Sequence, residues 1–286
     1  MAEAQYYVPH GTRWPIMGSI GLTALVGGFA ALLNGASVAS LVMVLGFVIL
    51  VAMMFLWFGQ VVRESESRIY NDQVDRSFRW GMGWFIFSEV CFFGAFFGAL
   101  FYARVYSVPW LGGEGTGVAT NLFLWPSFDS VWPTNGPAAL GGAYQVMGAW
   151  GIPALNTIIL LSSGGTVTWA HWGIIKDNRP QFVWGLLLTV VLGFLFVGLQ
   201  AYEYYEAYAH LNLKLSTGIY GSTFFMLTGF HGAHVTIGAI MLTVVMLRGM
   251  RGHFDSKNHF AFEAAAWYWH FVDVVWLGLF IFVYWL

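Results

Sequence analysis

Long apolar runs broken by short polar stretches organise this sequence. A bilayer core about 30 Å thick takes roughly 20 apolar residues of helix, and that yardstick predicts seven membrane spans. They cover residues 15–34, 38–62, 80–106, 146–175, 181–208, 218–247 and 262–286. Most exceed the minimum length, so the helices must tilt or push their ends into the headgroups. Pro153 and the "SSGGT" at 162–166 are candidate bends in the fourth span, because neighbouring helices can satisfy freed backbone groups. Residues 107–145, rich in Gly, Pro and Trp, form the one long connection, expected to be an irregular outer loop that carries contacts. There is no internal repeat and no low-complexity tract, which leaves an all-α, seven-transmembrane-helix bundle. The hairpin of spans one and two, with the polar stretch 63–79, reads as an N-terminal lobe (1–79) beside a five-helix part (80–286).

Composition and charge agree with the pattern and add sidedness. Hydrophobic residues make up 58% of the chain and charged ones 9%, where a soluble domain is about a quarter charged. The net charge of −2 offers no basic face for nucleic acid. Of the twelve Lys and Arg residues, ten fall on the side of the N-terminus: Arg13, Arg63, Arg68, Arg76, Arg79, Lys176, Arg179, Arg248, Arg251 and Lys257. Only Arg104 and Lys214 fall on the other, so the positive-inside rule puts the N-terminus in the cytoplasm or matrix and the C-terminus outside. The lone Cys91 excludes an intramolecular disulfide framework, a Cys-based zinc site and an iron–sulfur cluster, and reads as a small buried hydrophobe. The opening "MAEAQYYVPHGTRWP" has no basic segment ahead of an apolar one, so no cleaved signal peptide is expected.

Ionisable groups at membrane depth are costly and are functional candidates. Glu89, in "FSEVCFF", falls near mid-span among Phe85, Ile86, Phe92 and Phe93. It is either a proton-handling or ligand-facing carboxylate, or a protonated acid bonded to a carbonyl or a neighbouring helix. In the last span Glu263, His270 and Asp273 stay within about 80° of one face, open to a metal or relay reading but more simply satisfying one another and adjacent helices. His231 and His234, three apart in "GFHGAHVTIG", could ligate a metal or haem only with ligands from other spans; carbonyl hydrogen bonds are the plainer role. His171 is expected to be an interfacial hydrogen-bonding residue, and Glu203 and Glu206 to sit in a tyrosine belt. Gly94 and Gly98 form a small-xxx-small pattern for close helix approach. The segment "RESESRIYNDQVDRSFRW" reads as a headgroup-contacting, partner-contacting or simply solvated loop. These residues leave two classes open: an autonomous transporter, proton channel or haem protein, and an integral subunit of a larger complex. The missing complete ligand set favours the second.

Five strings go further. "WGMGWFIFSEVCFF" (80–93), "PALNTIILLSSGGTVTWAHWGIIKDNR" (153–179), "QAYEYYEA" (200–207), "GIYGSTFFMLTGFHGAHVTIG" (218–238) and "HFAFEAAAWYWHFVDVVWLGLFIFVYWL" (259–286) resemble subunit III of the haem–copper cytochrome c oxidases, in family order. Spans one and two match more weakly, through "VVRE" at 61–64. The resemblance implies a 2 + 5 division of the helices around a V-shaped, phospholipid-filled cleft. It implies an aa3-type complex with subunits I and II, in a bacterial membrane or its mitochondrial equivalent, that oxidises cytochrome c, reduces O₂ to water and pumps protons. Haem and copper then belong to the partner subunits; this chain has no catalytic residue, metal or cofactor of its own beyond structural phospholipid. His231, His234, Glu263, His270 and Asp273 become architectural, Arg63, Glu64, Arg248 and Arg251 become headgroup contacts, and Glu89 lies beside the cleft. Gln60 stands where the family often has an acid, Asn71 where it often has a histidine, and the outer loop is long for the family. A quinol oxidase of the same superfamily is the alternative complex, and an autonomous haem or metal protein a remote one.

Overall fold

The computed structural model describes Tyr7 and residues 11–286, and every regular element in them is helical. In order these are α1 (Trp14–Leu33), α2 (Ala39–Glu66), α3 (Asp72–Tyr102), α4 (Val108–Leu111), α5 (Val118–Leu124), α6 (Ile152–Ile175), α7 (Arg179–Ala209), α8 (Gly218–Met250) and α9 (Phe260–Leu279). A π-helical turn, Ala103–Ser107, joins α3 to α4, and another, Phe280–Trp285, ends the chain after α9. Seven helical stretches are long and apolar enough to cross a membrane, and α3 to α4 count as one of them.

Two boundaries differ from the hydropathy reading. The third span begins at Asp72, so residues 63–79 are not a loop: α2 runs to Glu66 and only 67–71 connect the helices. Its first turn carries Asp72 and Asp75, whose charge suits a helix N-terminus, and Asp75 Oδ2 accepts from Arg79 Nε at 2.7 Å one turn on. Apolar content marks only where a helix enters hydrocarbon; these charged turns extend it into water. The fourth span starts at Ile152, which puts Pro153 in the first turn, where its missing N–H costs nothing. The helix runs unbroken through "SSGGT". Ser163 Oγ and Thr166 Oγ1 donate back to the carbonyls of Leu160 (2.6 Å) and Ser163 (2.9 Å), which serves these hydroxyls inside the helix.

The chain divides into two compact units, Met1–Trp80 and Gly81–Leu286. In the first, α1 and α2 touch through glycine. A Cβ on Gly28 would lie 2.6 Å from the Met43 backbone N, and one on Gly46 would strike the Leu25 N and come within 2.8 Å of the Gly21 O. Trp14 Nε1 donates to Gln60 Oε1 at 2.7 Å and closes the other end of this pair. The hairpin leaves most of its apolar surface outward, with only 6% of the α2 span buried.

In the second unit the last span is the most enclosed, 50% buried, and Trp269 is its centre. The fully buried indole lies in a slot between two glycines: a Cβ on Gly193 of α7 would fall 2.6 Å from Trp269 Cη2, and one on Gly238 of α8 2.9 Å from its Cε3. Trp269 Nε1 donates to Ser163 Oγ of α6 at 2.9 Å. One side chain of α9 thus meets three other helices. Two turns further on, Trp276 packs edge-on to Phe196 at 4.7 Å and donates to Thr157 Oγ1 at 2.9 Å. Gly94 and Gly98, read as a close-approach pair, instead face open space: a Cβ added to either would meet nothing within 4 Å among the described residues. Cys91 is exposed rather than buried.

The connection 107–145 is more ordered than expected. It contains α4, a 3₁₀ turn at Gly115–Gly117 and α5 before its irregular part. Asn212 Nδ2 donates to the carbonyls of Gly141 (3.0 Å) and Ala143 (2.9 Å), and Tyr220 N donates to Thr134 O at 3.2 Å. These bonds hold the loop against the start of α8. Burial pushes the Tyr144 phenol up from its ordinary value where it stacks on Tyr220.

Trp269→Ala is expected to destabilise the folded chain by about 3–5 kcal/mol, through the cavity left between the two glycines. Trp269→Phe loses the Ser163 bond and part of the ring, at about 1–2 kcal/mol. Unfolding of the detergent-purified protein by denaturant measures both.

Candidate functional site

Glu89 lies near the middle of the Asp72–Leu111 span, and its partner is on α8. His234 Nε2 is 2.9 Å from Glu89 Oε2, while His234 Nδ1 is 2.7 Å from the carbonyl of Phe230. A carbonyl only accepts, so Nδ1 carries hydrogen, and in a neutral ring Nε2 then presents a lone pair to the carboxyl. The contact therefore holds a proton between the two groups, either as acid with neutral imidazole or as carboxylate with imidazolium. Either way the pair is neutral overall, which is how an acid survives at this depth. Phe93 meets the imidazole edge-on at 5.0 Å and Tyr268 stacks on it at 6.3 Å, and the Glu89 and His234 side chains are only 20% and 14% exposed. Glu89 is thus bonded to a neighbouring helix, α8, rather than to a backbone carbonyl.

The other polar candidates separate into distinct contacts. His231 is fully buried and directs Nε2 to the Val272 carbonyl of α9 at 3.1 Å, with its ring against Trp276 and Phe196. It faces the α8–α9 seam, whereas His234 faces α3, so the two do not form a joint ligand pair. The stripe on α9 is likewise two contacts. Glu263 Oε1 lies 3.0 Å from His259 Nε2 at the helix start, and His270 Nδ1 lies 3.6 Å from Asp273 Oδ2 further along. Asp273 reaches α6 because Gly164 is bare there: a Cβ would sit 2.5 Å from Asp273 Oδ2. His171, expected to hydrogen-bond at the interface, makes no hydrogen bond among the described residues; its ring packs edge-on against His259 and Phe262.

Glu203 overturns its belt assignment. It is fully buried and accepts from the hydroxyl of Tyr284 at 2.6 Å, beside Gln200 Nε2, which donates to Thr228 O at 2.8 Å, and Tyr204, whose hydroxyl meets Thr228 Oγ1 at 2.7 Å. The signal was present in the sequence as an acid, Tyr204 and Gln200 at helical spacing opposite a terminal tyrosine. Which tyrosine met the acid depended on how α7 and the C-terminal turn face each other.

Basic residues collect at the helix ends in each unit. In the first, Glu64 is satisfied internally: Gln60 Nε2 donates to Oε1 and Tyr70 Oη to Oε2, both at 2.7 Å, and Arg63 next to it is exposed. Burial and the Glu64 carboxylate raise the Tyr70 phenol far above its usual value, which keeps it a donor. In the second unit Arg248 lies 4.6 Å over the Phe254 ring, Arg251 is exposed, and Arg179 lies against Gly252, where a Cβ would be 2.6 Å from its Nη2. Gly252, at φ +81°, makes the left-handed turn that ends α8.

The fold and this site define an all-helical, seven-span membrane protein with a carboxyl–imidazole pair at mid-span. The family model described as Cytochrome c oxidase subunit III matches residues 4–286. Cytochrome c oxidase subunit 3 of Tetraodon nigroviridis, and that of Carassius auratus, are each 41% identical to it over 98% of this chain and 96% of their own length. The same protein of Gadus morhua matches to the same extent. The chain belongs to the cytochrome c oxidase subunit III family, a family of respiratory-chain membrane proteins.

Glu89→Gln is expected to stay within about 1 kcal/mol of wild-type stability, because its amide N–H can still donate to His234 Nε2. His234→Ala strands the acid among phenylalanines and costs about 1–3 kcal/mol, as does Tyr284→Phe, which leaves Glu203 without its donor. Thermal unfolding in detergent separates the conservative change from the two others.

Proposed function

We propose that this chain serves as subunit III of an aa3-type cytochrome c oxidase, without haem or copper of its own. It braces the catalytic subunit I and, with subunit II, completes a complex that passes electrons from cytochrome c to O₂. The observation that carries this reading is the match to the family along essentially the full length of the chain. The internal pairing of its intramembrane polar groups supports it: His231 and His234 each commit a ring nitrogen to a backbone carbonyl, as architecture requires. In this reading the N-terminus faces the cytoplasm or matrix of an energy-transducing membrane, bacterial plasma or mitochondrial inner, and the C-terminus faces outside.

The chain also binds structural phospholipid. Arg63 is the headgroup ligand of the N-terminal unit, and Glu64 orients its surroundings by holding Gln60 and Tyr70. Arg248 and Arg251, with Arg179 beside them, form the cationic end of the second unit; guanidinium forks suit phosphate. Bound lipid shapes access for O₂, and Glu89 with His234 supplies a neutral, protonatable pair that influences proton uptake. A quinol oxidase of the same superfamily would use the chain in the same way, and a dinuclear copper site in the neighbouring subunit II separates the two.

Three measurements test this. Removal of the subunit from the purified complex should leave haem content intact while activity decays faster during turnover; loss of haem on removal would sink the bracing role. Arg251→Ala combined with Arg63→Ala should lower the phospholipid retained by the detergent-washed complex, read by mass spectrometry, with turnover at early times unchanged. In Glu89→Gln turnover should be nearly unchanged, and abolished proton translocation would instead assign Glu89 an obligatory place in pumping.

A further inference from the structure

Three side chains meet where α6 ends and α9 begins. His171 projects from the last turns of α6, His259 is the residue before α9, and Glu263 lies one turn into it. Their ligating atoms all lie within 4.8 Å of one another. His259 Nε2 and Glu263 Oε1 are 3.0 Å apart, and the other ring nitrogen of His259, Nδ1, is 2.9 Å from the carbonyl of Asp255.

The Asp255 carbonyl fixes the tautomer: it can only accept, so Nδ1 carries hydrogen and the neutral ring turns its Nε2 lone pair towards the carboxylate. Two lone pairs at that distance repel unless a positive centre lies with them. At His234 and Glu89 the same arrangement contains only two groups, and one proton accounts for both. Here there is a third. His171 makes no hydrogen bond among the described residues, and a ring nitrogen of it faces the same space, held there by edge contacts with His259 (5.9 Å) and Phe262 (5.3 Å). A proton joins two groups; a metal ion joins three.

We propose that His171, His259 and Glu263 form a binding site for a divalent zinc-like cation that clamps the end of α6 to the start of α9. Two imidazoles and one carboxylate are a donor set for a borderline ion rather than for magnesium or calcium, which favour all-oxygen shells. Tetrahedral coordination at roughly 2.0–2.2 Å needs ligand atoms roughly 3.3–3.6 Å apart, within reach of small side-chain rotations from the present separations. The bond from His259 Nδ1 to a backbone carbonyl is the outer-shell support that orients a metal-ligating histidine. Partial exposure of His171 leaves a water the fourth position and the ion a way in. Zinc has no redox chemistry, so the site adds a fastening and no electron carrier.

The test uses the full chain in its purified membrane complex, stripped with chelator and titrated with Zn2+ against a chromophoric competitor. Wild type is expected to take up one zinc that His171→Ala and Glu263→Gln do not. Their affinity at that site should fall by more than the roughly 10–100-fold that loss of an outer-shell bond costs. His210→Ala, which removes an exposed histidine paired with Glu206 elsewhere, should titrate like wild type. Glu263→Gln keeps the side-chain shape and His171→Ala takes away only ring contacts, and an unchanged haem content verifies assembly of each variant. Co2+ loading should give visible ligand-field bands in wild type that both variants lack. Equal zinc uptake by wild type and the two ligand variants, or none by wild type, overturns the proposal and leaves a shared proton between His259 and Glu263.

Discussion

The seating of Trp269 is the contact on which the second unit depends. Lipid is as apolar as leucine, so helices in a bilayer gain little by hiding hydrocarbon from one another and associate through close packing and internal hydrogen bonds. Trp269 supplies both. Its ring enters a slot that exists only because Gly193 and Gly238 lack a Cβ, and its N–H finds Ser163 on the remaining neighbour. Once those contacts are made, the rotation of α6, α7 and α8 about α9 is set. His231 then falls opposite the Val272 carbonyl, Asp273 opposite the bare Gly164, and Trp276 opposite Thr157.

Backbone carbonyls act as the reference points for the histidines. An intrahelical or nearby carbonyl takes one ring hydrogen and so decides what the opposite nitrogen offers. For His234 the opposite nitrogen offers a lone pair to Glu89 and the pair keeps a proton; for His259 it offers one to Glu263 with His171 nearby. The same device brings two groups together at mid-span and three at the helix ends. A membrane protein can hold acids in hydrocarbon by this means.

Much of the site was legible along the chain as a set of residues and little of it as a set of pairs. Glu89, His234, Glu263, His270 and Asp273 stand out because ionisable groups are rare in apolar runs. Which of them pair does not show along the chain, nor does every core acid: Glu203 looked like part of a tyrosine belt and proves to be a core acid, while nearby Glu206 stays near His210 at the helix end. His259 does not stand out along the chain, although a histidine four residues before Glu263 at a helix start is readable as one face. Gly94 and Gly98 looked like a packing motif, whereas the glycines that admit another helix or ring include Gly28, Gly46, Gly193 and Gly238.

The sequence by itself determined that this chain crosses a membrane seven times, because hydrocarbon thickness is a length and a run of apolar residues measures it directly. It determined the family as well, through long strings in a fixed order. Only the tertiary structure decided where the helices end, since charged turns such as Asp72–Arg79 extend a span into water by pairing with themselves. It alone decided which polar groups meet. Each side chain points in a direction set by the turn of its own helix, but its partner depends on how the facing helix is rotated and shifted, and that is settled by packing around residues such as Trp269.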